Sequence, residues 1–318
     1  MTPPTAPGRW SAIGAVLTLL LAISGCIEAS ETPSATPHGS AATQQSFELG
    51  GYRYFPARAT QWALPGKGLR EVSGLTLDPE GRLFAHDDEL AVIYQLDYQN
   101  HEVVKAFALG DPPVKGDFEG IAWAEGQLYL VTSDGDLLVS DEGEHGEYLP
   151  YQRHVTRLGQ RCEVEGLHYD APQRLLRLAC KTIREPGSKK RTLVLAWSLD
   201  TASPAPEHDL ELLWPEPAEA AAAGAEGLLG DGSGPRRRLH LSGITWSPRA
   251  GNWIAVAHRQ RALVEFAPDG TLVRAFQIPN THLHPQMEGI ALTADGTLII
   301  ADEGGKGRGR LSVYPADE

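Results

Sequence analysis

Ser73-Gly74-Leu75-Thr76-Leu77 (SGLTL) is the first of five copies of one phrase. The others are EGIAW at Glu119–Trp123, EGLHY at Glu165–Tyr169, SGITW at Ser242–Trp246 and EGIAL at Glu288–Leu292. The pattern is Ser or Glu, then Gly, then Leu or Ile, then any residue, then Leu, Trp or Tyr. The first letters stand 46, 46, 77 and 46 residues apart. Such a period marks a repeated supersecondary unit, stacked or arranged in a ring so that neighbours bury a shared core. It also sets a Ser or Glu at one equivalent place per unit. If the units surround an axis, these polar side chains meet there.

Each phrase opens a strand, and turn signals divide the rest of its unit. After SGLTL come the turn Asp78-Pro79-Glu80-Gly81, the strand RLFAH, VIYQLDY from Val92 and EVVKAFAL from Glu102. The unit at Ser242 gives SGITW, a turn at 248–252, WIAVAH, ALVEFA, a turn at Pro268-Asp269-Gly270 and TLVRAFQI. Short apolar and β-branched runs between Gly, Pro and Asp turns are hairpin signals. Four antiparallel strands per roughly 40–50 residues make a propeller blade. The last unit has strands at Glu288, Thr297 and Arg310 and is one strand short. YRYFPARATQW (Tyr52–Trp62) belongs to no unit, and as the missing outer strand it closes the ring and removes two exposed edges. The expectation is an all-β, five-bladed propeller of four-stranded antiparallel blades, with the 77-residue unit as one blade carrying insertions. Six blades, with a degenerate one near 200–240, is the alternative. Within that long unit, 185–190 reads as an extended hairpin loop. Residues 215–239 allow a short helix from Ala218 to Leu229, either covering one mouth of the ring or making a disordered excursion.

Outside the repeat, the N-terminus reads as a targeting segment. Arg9 precedes the apolar run AIGAVLTLLLAI (12–23), which has signal-peptide length. Ile23-Ser24-Gly25-Cys26 resembles a bacterial lipobox, which makes Cys26 the lipidated first residue of the mature chain. Ile27, where a retention signal would have Asp, favours an outer-membrane lipoprotein facing the periplasm. Residues 27–50 are rich in Ser, Thr, Ala and Pro and read as a tether. The expected organisation is a signal peptide at 1–25, lipidated cysteine and linker at 26–50, and one propeller at 51–318. The full chain carries 28 basic against 41 acidic residues. Loss of Arg9 with the signal leaves 27 against 41, a formal charge of -14. That balance argues against a nucleic-acid partner. A monomer is expected, with a lipid anchor and an unidentified envelope protein or small molecule as partner.

In a propeller the first strand of each blade faces the channel, so Ser73, Glu119, Glu165, Ser242 and Glu288 form an uneven polar ring. Capping of backbone groups would explain the two serines. Three glutamates need compensation, because buried charges must be paired or metal-bound. Asp117 and Glu163 each stand two residues before a phrase glutamate, which puts each pair on one strand face. At the ends of the second strands stand His86-Asp87-Asp88-Glu89, Lys181, His258-Arg259 and Asp302-Glu303. Hard oxygens from several blades suit Ca²⁺ better than Zn²⁺. The candidate ligands are therefore Glu119, Glu165, Glu288, Asp117, Glu163, Asp302, Glu303 and Asp87. A ring neutralised by Lys181, Arg259 and water is the alternative. His86 and His258 are the candidate general bases if a bound cation supports hydrolysis. No nucleophile elbow, P-loop or dinucleotide fingerprint is present. Cys162 and Cys180 flank two strands joined at 171–173, and an oxidising compartment favours their disulfide.

From Glu71 to Val313 the chain resembles the SdiA-regulated-like family of exported bacterial propellers. The residues that carry this are EVSGLTLDPEGRLFAHDDE, GDFEGIAW, CEVEGLHYD with LLRLACK, LSGITWSP with AVAHRQRALVEF, and QMEGIALTADGTLIIADEG. The resemblance implies a channel-centred propeller with acidic residues near its axis, in some members with calcium, and leaves the activity open. Ser73 and Ser242 depart from a complete carboxylate ring. The leading expectation is a calcium-containing binding or structural module. A calcium-dependent phytase-like or lactonase-like hydrolase and a metal-free interaction scaffold are the alternatives, and fold analogy alone does not choose between them.

Overall fold

The structure is a computed structural model. It describes residues 46–187, 191–213, 217–225, 228, 238–278 and 282–317. The expected signal peptide, Cys26 and most of the linker lie outside the described residues, as does much of the insertion at 215–239.

The chain opens with a hairpin of β1 (Phe47–Leu49) and β2 (Tyr52–Tyr54), followed by β3 (Thr60–Ala63). Blade 1 is β4 (Val72–Leu77), β5 (Leu83–Asp87), β6 (Val92–Asp97) and β7 (Glu102–Leu109). Blade 2 begins with β8 (Phe118–Ala124), β9 (Gln127–Thr132) and β10 (Leu137–Ser140). Short β11 (Tyr148–Leu149) then runs parallel to β7, and β12 (Gln152–His154) completes blade 2. Blade 3 is β13 (Cys162–Asp170), β14 (Leu175–Ile183) and β15 (Leu193–Ser198), with its fourth place shared by β16 (Ser203–Pro204) and β17 (Leu210–Glu211). After α1 (Pro217–Ala222), blade 4 is β18 (Leu241–Ser247), β19 (Asn252–Ala257), β20 (Ala262–Phe266) and β21 (Leu272–Gln277). Blade 5 is β22 (Met287–Leu292), β23 (Leu298–Asp302) and β24 (Arg310–Tyr314), with β3 as its outer strand. Leu311 pairs with Trp62 and Val313 with Thr60. The 77-residue unit is thus one blade, and the N-terminal stretch closes the ring through its second half. Its first half folds back on β1 instead.

The five phrases are the inner strands. β4 packs on β8, β8 on β13, β13 on β18, β18 on β22, and β22 returns to β4. The main apolar clusters lie between blades rather than on the axis. Phe84, Ile93 and Phe107 of blade 1 meet Phe118, Ile121 and Leu130 of blade 2. Clusters of the same kind join blades 2 and 3, 3 and 4, 4 and 5, and 5 and 1. The phrase glycine makes this convergence possible. A Cβ on Gly243 would stand 2.5 Å from the Glu288 carbonyl oxygen, and one on Gly120 would stand 2.7 Å from the Leu167 nitrogen. Only a residue without a side chain lets backbones approach so closely.

The helix in the insertion is shorter than its composition allows, six residues rather than twelve. Its described neighbours Ala220, Ala225 and Leu228 are buried against Leu272 and Ala275 of blade 4, and Ala275 N–H donates to the Ala223 carbonyl. This part of the insertion seals the seam between blades 3 and 4.

Candidate functional site

Every inner strand slips register at the first letter of its phrase. The slips fall between Val72 and Leu75, Phe118 and Gly120, Val164 and Gly166, Leu241 and Gly243, and Met287 and Gly289. A bulge leaves one residue unpaired and re-aims its side chain. The Ser or Glu of each blade is that residue, which is how five strands present polar groups at one end of the channel.

The two serines act locally. Ser242 Oγ donates to the Met287 carbonyl at 2.8 Å, tying blade 4 to blade 5. Ser73 Oγ donates to Glu119 Oε2 at 3.1 Å, tying blade 1 to blade 2. The three glutamates are less well served. Glu165 is 2% exposed, and its Oε1 lies 2.9 Å from Lys181 Nζ. Glu288 is buried, and its Oε2 has no hydrogen-bond partner.

The charges follow from this crowding. Burial, then repulsion from Glu165, Asp117 and Glu288, pushes the Glu119 carboxyl up to about 9. Burial raises Glu165 to about 7 against the pull of Lys181. Glu288 is raised well above the usual carboxylate range by burial and by Glu165. Desolvation draws the Lys181 ammonium down, but Glu165, Glu288 and Glu119 outweigh it and the net shift is upward. Among the described residues, three carboxyls therefore share the Lys181 ammonium, and protons make up the difference near neutral pH.

The other candidate ligands divide between this mouth and structural duties. Asp117 is exposed and Glu163 half-buried, and both repel Glu165. Asp117 also repels Glu119, so each acidic residue acts on the phrase glutamate two residues after it. Glu303 is half-buried, and burial followed by Glu71 raises it. Asp87 is buried, and its Oδ1 accepts from the Glu89 and Leu90 N–H groups at 3.0 and 2.8 Å. Asp302 is fully buried. Its Oδ2 accepts from His284 Nδ1 at 2.7 Å and its Oδ1 from the Gln286 N–H at 3.2 Å, while His284 Nε2 meets the Tyr314 hydroxyl at 2.5 Å. Among the described residues, no three His, Cys, Asp or Glu side chains already stand in a metal-holding group.

His86 is fully buried. Its Nδ1–H donates to the Asp87 carbonyl at 3.0 Å, and burial lowers the ring to about 4. His258 stands on the polar face, lowered by desolvation and by Lys181, with Asp302 opposing. Asp88 was not among the candidate ligands. Burial, Glu71, Asp87 and Glu303 raise it to about 7, and its Oδ1 lacks a partner. Its neighbour Glu71 comes from the chain just before the phrase, and the β4–β5 hairpin sets the two opposite each other, with the Asp88 N–H donating to the Glu71 carbonyl at 3.3 Å. The expected Cys162–Cys180 disulfide is present with a Cα–Cα distance of 5.7 Å. It joins the strands that carry Glu165 and Lys181.

Below the polar ring, the third letters Leu75, Ile121, Leu167, Ile244 and Ile290 are all buried. With the phrase glycines they leave about 10 Å³ of free space, so the channel is plugged. At its opposite end lies a cavity of about 430 Å³ that reaches the fifth letters Trp123, Tyr169, Trp246 and Leu292.

The fold and this axial arrangement define a five-bladed β-propeller with a closed channel. The family model described as SdiA-regulated matches residues 237–313, which span blades 4 and 5. Over that stretch the match bears out the resemblance read from the phrases. No curated protein matches the chain. Among solved structures, the chain is similar to the glutaminyl cyclase of Myxococcus xanthus, at 16% identity and a TM-score of 0.52, covering 82% of this chain and 97% of that one. It is also similar to the PQQ-bound aldose sugar dehydrogenase of Streptomyces coelicolor, at 14% identity and a TM-score of 0.48, covering 82% and 99%. At 16% identity the likeness to the cyclase is one of fold.

Proposed function

We propose that the protein is an envelope lipoprotein whose propeller is a binding module, with a Ca²⁺ site at the polar mouth. One observation carries the reading. Among the described residues, Glu288 Oε2 is buried without a hydrogen-bond partner in a ring where three carboxyls face the Lys181 ammonium. Buried carboxylates call for a proton or a cation, and an all-oxygen set favours calcium over zinc. Glu119, Glu165 and Glu288 are the residues that would hold the ion, which would supply the missing positive charge. Around it, the Ser73 hydroxyl orients Glu119 and Lys181 orients Glu165. The anchor belongs to the same proposal and rests on the lipobox ending at Cys26, with Ile27 favouring the outer membrane.

The test is calorimetric titration of Ca²⁺ into protein purified without chelator. We expect one site, proton release visible as a buffer-dependent heat, and binding at least tenfold weaker in Glu119→Gln and Glu288→Gln. No binding by the unmodified protein at millimolar calcium would overturn the site. A hydrolase reading has one observation in its favour: Glu165 is held near neutrality beside Lys181, in the range suited to a general acid or base. Turnover of p-nitrophenyl esters or phosphates that disappears in Glu165→Gln would promote it.

A further inference from the structure

The plugged channel leaves the second mouth as a separate cavity, and its chemistry is unlike that of the first. Its volume of about 430 Å³ is that of a small-molecule site. The walls come from the fifth letters of the phrases and the floor from Leu75 and Ile290.

Two indole rings dominate the walls, and each is fixed from behind. Trp246 meets Trp253 edge-on at 4.8 Å between centroids. Trp253 in turn packs against His168 at 5.6 Å and lies 5.5 Å from the Arg177 guanidinium. Arg177 is itself held by Asp170 at 2.8 Å. Trp123 stacks on Phe84 at 5.5 Å, with the Arg82 guanidinium 5.8 Å from its ring, and its backbone N–H donates to Thr76 Oγ1 at 3.1 Å. Both indoles remain partly exposed. Aromatic faces held in place before a ligand arrives reduce the ordering cost of binding.

The charges near the cavity are already matched. Asp78 accepts from the Arg82 backbone N–H at 2.8 Å and from its guanidinium at 2.5 Å. Arg82 also pairs with Glu142 at 2.7 Å. Glu125 is paired with Arg174 at 2.9 Å and accepts from the Tyr169 hydroxyl. Desolvation lowers the His168 ring to about 4, so it is neutral at ordinary pH. What the cavity offers is aromatic and aliphatic surface with the neutral polar groups of Thr76, His168, Tyr169 and Thr245.

We propose that this mouth binds an uncharged, ring-bearing small molecule against Trp123 and Trp246, independently of the polar mouth. The probe is N-phenyl-1-naphthylamine, a neutral aromatic fluorophore, titrated into a chain starting at residue 26 with Cys26→Ser to avoid lipid and detergent. The residues from Ala41 onward form a compact unit of their own. Saturable 1:1 binding is expected, at least tenfold weaker in Trp246→Ala. Leu77→Trp fills the cavity with a residue that blades 2 and 4 already carry at this position, and should abolish binding with the fold intact by circular dichroism. Glu119→Gln should leave the affinity unchanged, so failure of the calcium site does not affect this result. Non-saturable binding, or equal affinity in Leu77→Trp, would overturn the proposal.

Discussion

The two mouths of the channel are built from the same five-residue phrase and differ in how well their side chains are satisfied. At the polar mouth the first letters sit on bulges, Glu165 relies on Lys181, and Glu288 Oε2 lacks a hydrogen-bond partner. At the aromatic mouth the fifth letters are backed by rings and guanidinium groups whose own charges are paired. The first mouth therefore depends on protons or a cation, and the second on shape. Two devices let one phrase serve both: the bulge aims letter one, and alternation gives letters three and five a common direction, making a polar ring, an aliphatic plug and an aromatic wall.

The strongest way to break this comparison is to force the blades apart, which ruins both mouths at once. Gly243→Ala places a methyl 2.5 Å from the Glu288 carbonyl oxygen. The backbone must yield, because the clash is with main chain. Overpacking of this kind costs about 3 kcal/mol, and the melting temperature should fall by roughly 6 °C or more. Cavity binding and calcium binding should weaken together. A variant with unchanged melting temperature would show that the inner strands do not meet as closely as described.

A smaller effect separates the mouths by pH. Glu119, Glu165 and Asp88 have folded values of about 9, 7 and 7, above their unfolded values of 4.5, 4.5 and 3.8. A carboxyl raised on folding contributes stability that is fully present below its unfolded value and is lost as pH rises through its folded value. Without calcium, chemical denaturation should show stability falling between about pH 5 and pH 9. Glu119→Gln should flatten that slope and be more stable than the parent at pH 9 by about 1 kcal/mol or more. Leu77→Trp, at the other mouth, should keep the parental slope. Calcium should bind more tightly as pH rises, by about tenfold per unit for each proton displaced.

Much of this architecture is legible before folding. The recurrence of the phrase marks the five inner strands, the deficit after Arg310 calls for an outer strand from the N-terminus, and the short separation of Cys162 and Cys180 announces their pairing. What local pattern hides is how polar side chains are used. The bulge at each first letter leaves no mark in a period-two reading, so the device that aims the Ser or Glu into the ring is not read from the sequence. Asp302 looks like a free ligand at a strand end until His284, which precedes β22, closes over it. Asp88 and Glu71 meet across the β4–β5 hairpin, in a register that the length of the turn alone does not give. The aromatic mouth was visible as Trp123, Tyr169 and Trp246 at one phrase position, but those letters describe core packing equally well until the plug above them is seen.

The two serines give the finest test, since each is a single hydroxyl at the same phrase position. Ser242→Ala removes the donor to the Met287 carbonyl without touching a charge. The loss should be about 1 kcal/mol and independent of pH. Ser73→Ala removes a donor to Glu119 instead. A hydrogen bond from a hydroxyl to a carboxylate favours the ionised form, so its loss should push the Glu119 carboxyl further up. The cost should then be small at pH 5, where the carboxyl is protonated, and grow toward pH 9. Denaturation of both variants at the two pH values checks this. Parallel pH dependence in the two would mean that the Ser73 hydroxyl is a backbone cap like Ser242, and that Glu119 is governed by its carboxyl neighbours alone.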